Sequence, residues 1–277
     1  MTRDLDAIDM NEVVGSHDIL FITLDTLRFD VAQALFERGE LPVLARHLPA
    51  SGWEPRHTPG SFTYAAHHAF FAGFLPTPAR PGRHPRLFAT AFRGSETTTR
   101  RTCVFHEENI VAGLAARGYR TICIGGVGFF NQETALASVL PRLFAESHWN
   151  AGLGVTNRHS TERQVDLAIR RLDATPGPTF LFINVSAIHA PNHFFLPADA
   201  RAGGDERPTL ESHAAALRYV DGALAPLLAA CARRRPTLAI VCSDHGTMLG
   251  EDGFEGHRVA HETVWTVPYA HFFLGCP

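Results

Sequence analysis

The 277-residue chain is long enough for one large α/β domain, and its 45% hydrophobic and 19% charged residues are typical of a globular protein. All 25 basic residues are arginines, which excludes phosphate-binding loops and catalytic mechanisms that require lysine. A formal charge of −3 gives no reason to expect nucleic acid or an anionic membrane as a partner.

Histidine and cysteine usage bears on chemistry and location. The 16 histidines favour metal binding or proton transfer, although a compositional bias would also raise their number. The five cysteines are scattered and form no Cys-x-x-Cys motif, which predicts a reducing compartment. The first 17 residues are too polar for a signal peptide, and no apolar run approaches membrane-spanning length. The cytosol is therefore the expected location.

The first predicted strand, Asp18–Leu24, follows an N-terminal extension of residues 1–17 and ends at Asp25. Thr26 is predicted to cap the helix that follows, which runs to about residue 37. An acid at the end of a strand can bind a ligand or cap a helix. Position alone leaves both interpretations of Asp25 open.

A short helix is predicted from Tyr64 to Gly73, with Ser61 or Thr63 at its N-terminus. Unpaired backbone N–H groups at that point favour an anion. A hydroxyl there could act both as metal ligand and as nucleophile, because metal coordination lowers its pKa. The alternative is that Thr63 only caps the helix.

The rest of the chain alternates helices with strands. Residues 76–102 are rich in proline and arginine and are predicted to form a long loop at the active site. Helices are predicted at about 106–117, 160–173 and 210–233, and strands at about 118–126, 179–185, 237–242 and 267–274. The pattern predicts a single α/β domain, 1–277, with a doubly wound, mostly parallel central sheet and helices on both faces.

The strand at 237–242 leads into Ser243-Asp244-His245-Gly246. Ligands bind at the carboxyl edge of open α/β sheets, and a carboxylate beside an imidazole suits a divalent metal. A capped turn is the alternative. Other candidate side chains also follow strands or begin helices, which predicts one shared site at one edge of the sheet: Asp25, Thr63, His189, His193, His257 and His261.

These segments resemble, in order, those of the alkaline phosphatase superfamily and particularly its sulfatase-like branch. The resemblance rests on residues 18–28, 63–73, 118–125, 179–191, 216–221 and 243–257. More narrowly, the chain is similar to a compact bacterial group of predicted metalloenzyme hydrolases whose substrates are poorly defined. The resemblance implies that a metal is bound by Asp25, Thr63, Asp244 and His245.

Departures from the family pattern refine these expectations. Thr63 stands where sulfatases carry the cysteine that becomes formylglycine, so sulfatase activity is less expected, and Ser61 remains the alternative nucleophile. Thr26 and His245 replace an aspartate and an asparagine of the calcium-dependent sulfatases. These changes favour Zn²⁺ or Mn²⁺ over Ca²⁺.

The resemblance leaves the number of metal ions open. One-metal relatives use the histidine of a His-x-Pro motif, here His189, and a later basic residue, here His257, on the substrate or the leaving group. Pro191 favours this pattern. A second ion is the alternative, and it would be bound by residues among His189, His193, His257 and His261. Arg28 and His67 are expected to contact the anionic substrate.

The resulting expectation is a hydrolase of phosphate or phosphonate esters. Metal-activated Thr63 would form a covalent intermediate that water releases, assisted by His189 and His257. The expected partner is a small anionic ester, with no nucleic acid and no membrane, and the oligomeric state is open. Two alternatives remain: a phosphoryl or sulfuryl transferase or mutase on the same scaffold, and a non-catalytic metal-binding partner protein.

Overall fold

The computed structural model describes residues 8–94, 97–200 and 206–275. The helices are α1 (Met10–Val13), α2 (Phe29–Glu37), α3 (Thr63–Phe71), α4 (Ile110–Ala116), α5 (Ser160–Asp173), α6 (Leu210–Arg234) and α7 (Glu262–Trp265). The strands are β1 (Asp18–Leu24), β2 (Glu54–His57), β3 (Thr77–Pro78), β4 (Phe88–Thr90), β5 (Cys103–Phe105), β6 (Arg120–Ile124), β7 (Glu146–His148), β8 (Thr179–Val185), β9 (Thr237–Cys242), β10 (Met248–Leu249), β11 (Glu255–Gly256) and β12 (Thr266–Leu274).

Eight strands form the central sheet, in the order β3-β2-β12-β9-β1-β8-β6-β7. The five strands from β9 to β7 are parallel to their neighbours, whereas β12 pairs antiparallel with both β9 and β2. The predicted α/β fold with a mostly parallel sheet is confirmed, but the last strand, β12, is antiparallel to its neighbours. Only the short helix α7 lies between β10–β11 and β12, and an antiparallel neighbour requires no helical crossover.

Both faces of the sheet are covered by helices, as predicted. On β1, Ile19 and Phe21 pack with side chains of α1, α3 and α4. Leu20, Ile22 and Leu24 point to the opposite face and pack with α2, α5 and α6. Because a strand buried on both faces needs apolar residues at every position, β1 has the continuous apolar sequence from which it was predicted.

The starts of α2 and α3 differ from the predictions in a way that matters for the site. Thr26 does not cap α2; its φ of 63° lies in the left-handed region, and Arg28 occupies the cap position. At α3, Phe62 is the cap residue and Thr63 is the first helical residue. The Thr63 hydroxyl is therefore not used as a helix cap.

Two segments outside the main sheet, helix α1 and the sheet of β4 and β5, do not line the pocket beside the strand carboxyl ends. Helix α1 leads into the amino end of β1, and the backbone N–H of Met10 donates to the carbonyl of Arg101. Strands β4 and β5 form a separate two-stranded sheet. Among its described residues, the 76–102 segment contributes none to the lining of the pocket beside the strand ends, so these contacts give no support to the expected active-site loop.

Helix α6 is, among the described residues, the one helix long and apolar enough to cross a membrane by length and composition. The expectation that no apolar run approaches that length was wrong for this helix. Half of its most apolar window is buried, and Leu217, Val220 and Leu224 belong to the core on one face of the sheet. This burial is typical of a core helix in a globular protein.

Candidate active site

The parallel pairing of β1 and β9 brings two acids together at the carboxyl edge of the sheet. Asp25 follows β1, and Asp244 comes two residues after β9. Ligand atoms of Asp25, Asp244 and His245 all lie within 4.8 Å of one another, and the three side chains are fully buried. The structure thus assembles the group that the strand ends predicted.

Thr63 joins this group from the N-terminus of α3. Its Oγ1 lies 3.5 Å from Asp25 Oδ2 and 3.3 Å from His245 Nε2. His245 Nδ1 lies 2.9 Å from the carbonyl oxygen of Gly246. Because a carbonyl can only accept, Nδ1 carries the proton and Nε2 presents its lone pair to Thr63 and the acids.

Each acid keeps one oxygen without a hydrogen-bond partner in the described part of the chain. Asp244 Oδ1 accepts the backbone N–H groups of Thr26 and His245 at 3.2 and 3.1 Å, but its Oδ2 has no hydrogen bond to any described residue. Asp25 Oδ2 accepts from Asn184, whereas its Oδ1 has no partner within residues 8–94, 97–200 and 206–275. Unpaired oxygens on buried carboxylates are unfavourable. With the Nε2 lone pair and the Thr63 hydroxyl, they form a donor set that fits a divalent cation.

Asn184 positions Asp25 and was not singled out from the sequence. Its Nδ2 donates to Asp25 Oδ2 at 3.0 Å, and its Oδ1 accepts the backbone N–H of Val127 at 3.0 Å. These two contacts fix the amide orientation. The signal available in the sequence was an amide in the otherwise apolar strand β8, since a buried polar side chain requires partners.

Burial changes the protonation of the site. It raises the pKa of Asp244 to about 6, and burial together with the neighbouring Asp244 raises the pKa of Asp25 to about 6. Burial also lowers the pKa of His245. The carboxylates therefore hold their protons to a higher pH than free aspartate does, and the imidazole is neutral at pH 7.

We expect the affinity for Zn²⁺ or Mn²⁺ to fall steeply below pH 6. A cation binds only the deprotonated carboxylates, and with both pKa values at about 6 the protonated forms dominate below that value. The affinity should fall by about tenfold to 100-fold per pH unit there, for one or two displaced protons. Isothermal titration calorimetry at pH 7.5, 6.5 and 5.5 would measure the affinity. An affinity unchanged at pH 5.5 would contradict the assignment of Asp25 and Asp244 as metal ligands.

His189 and His257 lie at the open side of the site. The His257 ring centroid is 4.4 Å from that of His245 and 6.1 Å from that of His189. Both line a pocket of about 210 Å³ beside the acids. Burial, with His245 and His189 close by, lowers the pKa of His257 to about 3. The structure thus places His257 beside His245 and near His189, and both predicted catalytic histidines line the pocket.

The four histidines considered for a second metal are not gathered in one place. His261 Nδ1 accepts the N–H of Thr263 and caps α7, and its Nε2 lies 3.2 Å from Asp252. His193 lies on a short turn that packs against α6, with its ring against Phe194. Among the described residues, the three side chains gathered closely enough for a metal are Asp25, Asp244 and His245, so the structure gives no support to ligand roles of His193 and His261.

Arg28 and His67 were expected to contact substrate, and the structure gives both other partners. Arg28 forms a bidentate ion pair with Asp30 and a further ion pair with Glu251, and its side chain is only 5% exposed. His67 is fully buried, with Nδ1 donating to the carbonyl of Thr63 and Nε2 facing the Thr23 hydroxyl. The nitrogens of both side chains thus already contact protein oxygens, and these contacts give no support to a role in substrate binding.

Gly246 follows His245 and packs directly against α7. A Cβ on Gly246 would lie 1.9 Å from the carbonyl oxygen of Thr263, which is backbone and cannot turn away. We expect Gly246→Ala to lower the free energy of unfolding by about 3 kcal/mol or more and to displace His245.

Gly222→Ala is the matched control: its Cβ would enter open space on α6, so it should stabilise the helix by about 0.5–1 kcal/mol. Urea titration would measure both, and an unchanged stability of Gly246→Ala would contradict the packing argument.

The sheet of this protein is mostly parallel, and two buried acids, a histidine and a threonine lie at its carboxyl edge. This arrangement defines an α/β protein with a candidate metal-binding site at the strand ends. The chain belongs to the sulfatase family: the family model described as Sulfatase matches residues 17–270. It is thus a sulfatase-like member of the alkaline phosphatase superfamily, as the sequence resemblance indicated. No curated protein matches this chain.

Solved structures share the fold at low sequence identity. The C-terminal periplasmic domain of EptC from Escherichia coli, in complex with zinc, aligns with a TM-score of 0.63 and 13% identity over 98% of this chain and 74% of that one. The corresponding domain of phosphoethanolamine transferase EptC from Campylobacter jejuni gives 0.61 and 14%, over 94% and 80%. The lipoteichoic acid synthase LtaP from Listeria monocytogenes gives 0.58 and 10%, over 98% and 70%.

The expectation of a cytosolic location was wrong. The two EptC structures with this fold are periplasmic domains. Scattered cysteines and a polar N-terminal stretch were the basis for the prediction, and neither property separates a cytosolic protein from a periplasmic domain of this fold. Cys103, Cys123, Cys231 and Cys242 are all buried free thiols, so they pack as small apolar side chains.

Proposed function

We propose that this protein is a metal-dependent enzyme that cleaves phosphate or phosphonate esters of small molecules, with Thr63 as nucleophile. The observation that carries the proposal is the pair of fully buried acids, Asp25 and Asp244, each with one oxygen unpaired among the described residues, with the Thr63 hydroxyl 3.5 Å from Asp25 Oδ2. Two buried anions without a cation are unfavourable. Their place at the carboxyl edge of the sheet is where ligands of open α/β sheets bind.

Asp25, Asp244, His245 and Thr63 would hold one divalent ion. Two carboxylates, an imidazole and a hydroxyl suit Zn²⁺ or Mn²⁺ better than Ca²⁺. Zinc is bound in the EptC domain from Escherichia coli, which supports zinc for this fold. When bound, such an ion lowers the pKa of a coordinated hydroxyl and stabilises negative charge on phosphoryl oxygens.

The protein groups around Thr63 suit attack on phosphorus. The first backbone N–H groups of α3 have no partner within the helix, and the helix dipole favours an anion at that end. We infer that they orient the phosphoryl group beside Thr63 Oγ1. A bond forms from Oγ1 to phosphorus while the bond from phosphorus to the leaving oxygen breaks, and Asp25 Oδ2, 3.5 Å away, is within reach of the hydroxyl proton.

We infer that His189 and His257 carry out the remaining proton transfers, since both line the pocket on the open side of the acids. The pKa of His257 is lowered to about 3, so its ring is neutral at pH 7 and would act as a base, whereas His189 would protonate the leaving oxygen. In hydrolysis, His257 would accept a proton from the water that attacks the phosphothreonine, and Asp25 would return its proton to Thr63 Oγ1 as the bond from phosphorus to that oxygen breaks. The partner in this proposal is a small anionic ester, and no nucleic acid or membrane is required.

Transfer to an alcohol is the second candidate. Its support is that EptC from Campylobacter jejuni is a phosphoethanolamine transferase and that LtaP is a lipoteichoic acid synthase. The same phosphothreonine would then be attacked by a hydroxyl instead of water. Product analysis with added alcohols separates the two: an alkyl phosphate product that grows with alcohol concentration indicates transfer, and inorganic phosphate alone indicates hydrolysis.

The first test is turnover itself. Aryl phosphate monoesters and diesters and aryl phosphonates are incubated with the protein in the presence of Zn²⁺ or Mn²⁺, and release of the phenol is followed by absorbance. We expect turnover that depends on the added metal and disappears with a chelator. Tight metal binding without any turnover would instead indicate a non-catalytic metal-binding protein.

A further inference from the structure

The pocket that His189 and His257 line reaches the N-terminal part of α6, where His213 lies. Its volume is about 210 Å³, enough for a small organic group. Much of its wall is apolar, contributed by Ile188, Pro208, Met248 and Leu249. Two polar side chains on this wall, Thr26 and His213, have no role in the reaction described above.

His213 presents an N–H donor without a partner. The residue is 1% exposed and lines the pocket, and its Nε2 accepts the backbone N–H of Arg28 at 3.3 Å. The proton is therefore on Nδ1, which makes no hydrogen bond within the described part of the chain. Burial, together with Arg28, lowers the pKa of His213 to about 3, so the ring is a neutral donor at pH 7.

Thr26 supplies an independent observation on the same wall. Its φ of 63° is rare for a β-branched residue, and strain of this kind is found mainly at functional sites. Its hydroxyl is buried and has no hydrogen-bond partner among the residues that the structure describes. Thr26 Oγ1 and His213 Nδ1 are thus two polar atoms on one pocket wall that an oxygen of a bound ligand would pair.

The charges around His213 favour a neutral ligand group over a second anion, because the pocket is lined by one cation, Arg207, and one acid, Glu255. The Arg28 guanidinium, which acts on His213, is already neutralised by Asp30 and Glu251. His213 itself is a neutral donor. An uncharged oxygen can accept from His213 Nδ1 without requiring a further cation, and a hydroxyl can in addition exchange a hydrogen bond with Thr26.

We propose that Thr26 and His213 form a second subsite that binds a hydroxyl or carbonyl oxygen on the alcohol part of the ester. The inference rests on the proposed function, since it assumes that the phosphoryl group lies at Thr63. The apolar wall would contact the carbon skeleton of the alcohol, and the two polar groups would select esters with an oxygen close to the ester bond. The substrate class is thus an oxygenated small alcohol esterified to a phosphoryl group.

The experiment compares two phosphonates that differ in one group. In 2-hydroxypropylphosphonate a hydroxyl replaces one methyl of isobutylphosphonate, and neither compound can be hydrolysed. Their dissociation constants are measured by calorimetry on the zinc-loaded protein. We expect the hydroxyl compound to bind about tenfold more tightly, the effect of one or two hydrogen bonds in a buried site.

Variants test whether Thr26 and His213 cause the preference for the hydroxyl compound. His213→Leu and the isosteric Thr26→Val should each reduce the affinity ratio toward one, and His213→Asn, which keeps a donor near the position of Nδ1, should retain part of it. Thr121→Val is the matched control and should leave the affinity ratio unchanged. The Thr121 hydroxyl accepts the backbone N–H of Ala145 at the amino end of β6. Equal affinities in the wild type, failure of either phosphonate to bind, or an unchanged ratio in the folded variants would overturn the subsite. Loss of the proposed function is read separately, from the absence of aryl ester turnover.

Discussion

Replacing Thr63 by alanine should lower metal-dependent turnover of an aryl phosphate by about 1,000-fold or more. The reason is that Thr63 Oγ1 is the hydroxyl within 3.5 Å of both Asp25 and His245, and its removal leaves no nucleophile on the protein at that position. Thr63→Ser keeps the hydroxyl and should retain measurable turnover. The initial rates of the three proteins, at saturating Zn²⁺ and equal folded concentration, give the comparison.

Ser61 provides the control for the nucleophile assignment. It was the alternative nucleophile in the sequence, but its backbone carbonyl accepts from Arg258, and Ser61 lies before the cap residue of α3. Ser61→Ala should keep turnover within a few-fold of the wild type. If Thr63→Ala retained full turnover, or if Ser61→Ala lost it, Thr63 would not be the nucleophile.

Replacing Asp244 by asparagine should abolish tight metal binding and, in the metal-free protein, raise stability. The variant is close in shape, and its amide oxygen can still accept the N–H groups of Thr26 and His245. Burial raises the pKa of Asp244 from 3.8 to about 6, so the charged form destabilises the metal-free fold above that pH. Removal of the charge should add about 2–3 kcal/mol at pH 7.5.

The pH dependence of this gain has a definite sign. The folded-state pKa of Asp244 is raised, so its penalty is fully present above about pH 6 and disappears as the pH falls toward the ordinary value of 3.8. The stability advantage of Asp244→Asn should therefore shrink between pH 7.5 and pH 5. In saturating Zn²⁺ the order should reverse, because the cation stabilises only the protein that binds it.

Asp221→Asn is the matched control for this pair of effects. Asp221 is another buried aspartate, but its two oxygens accept the backbone N–H groups of Leu44 and Val43. Its replacement should leave the zinc-induced rise in melting temperature intact. Thermal unfolding with and without Zn²⁺ measures all three proteins, and a wild-type zinc response in Asp244→Asn would contradict the ligand assignment.

The positions of Asp25, Asp244 and Thr63 in the fold were predictable, because each follows from where a strand ends or a helix begins. Asp25 and Asp244 each come after an apolar strand, and the carboxyl ends of adjacent parallel strands meet at one edge of the sheet. Thr63 was predictable from the helix start, within one residue. These placements depend on local patterns, which a sequence displays directly.

The partners of long or buried side chains were not predictable in the same way. Arg28 was expected to bind an anion, but Glu251, more than 200 positions away in the chain, forms an ion pair with it. His67 was expected at the substrate, but the bonds to Thr63 and Thr23 at 2.7 and 3.0 Å depend on how α3 packs against β1. Such pairings are set by tertiary packing, and residue type alone does not identify them.

The direction of the last strand and the role of Asn184 are also set by tertiary packing and were not predictable from the sequence. The apolar pattern of β12 is compatible with either direction, and the pairing with β9 decides it. Asn184 was visible as an amide in an apolar strand, but its target, Asp25, became clear only from the register of β8 with β1.

The most direct test of the metal site is X-ray diffraction from crystals soaked in Zn²⁺, recorded on both sides of the zinc absorption edge. The structure predicts one strong anomalous peak about 2.0–2.2 Å from Asp25 Oδ1, Asp244 Oδ2 and His245 Nε2, with Thr63 Oγ1 as the fourth protein ligand. A fully occupied zinc ion elsewhere, for example between His189 and His257, with the acids still unpaired, would contradict the central claim that these four side chains form the metal centre.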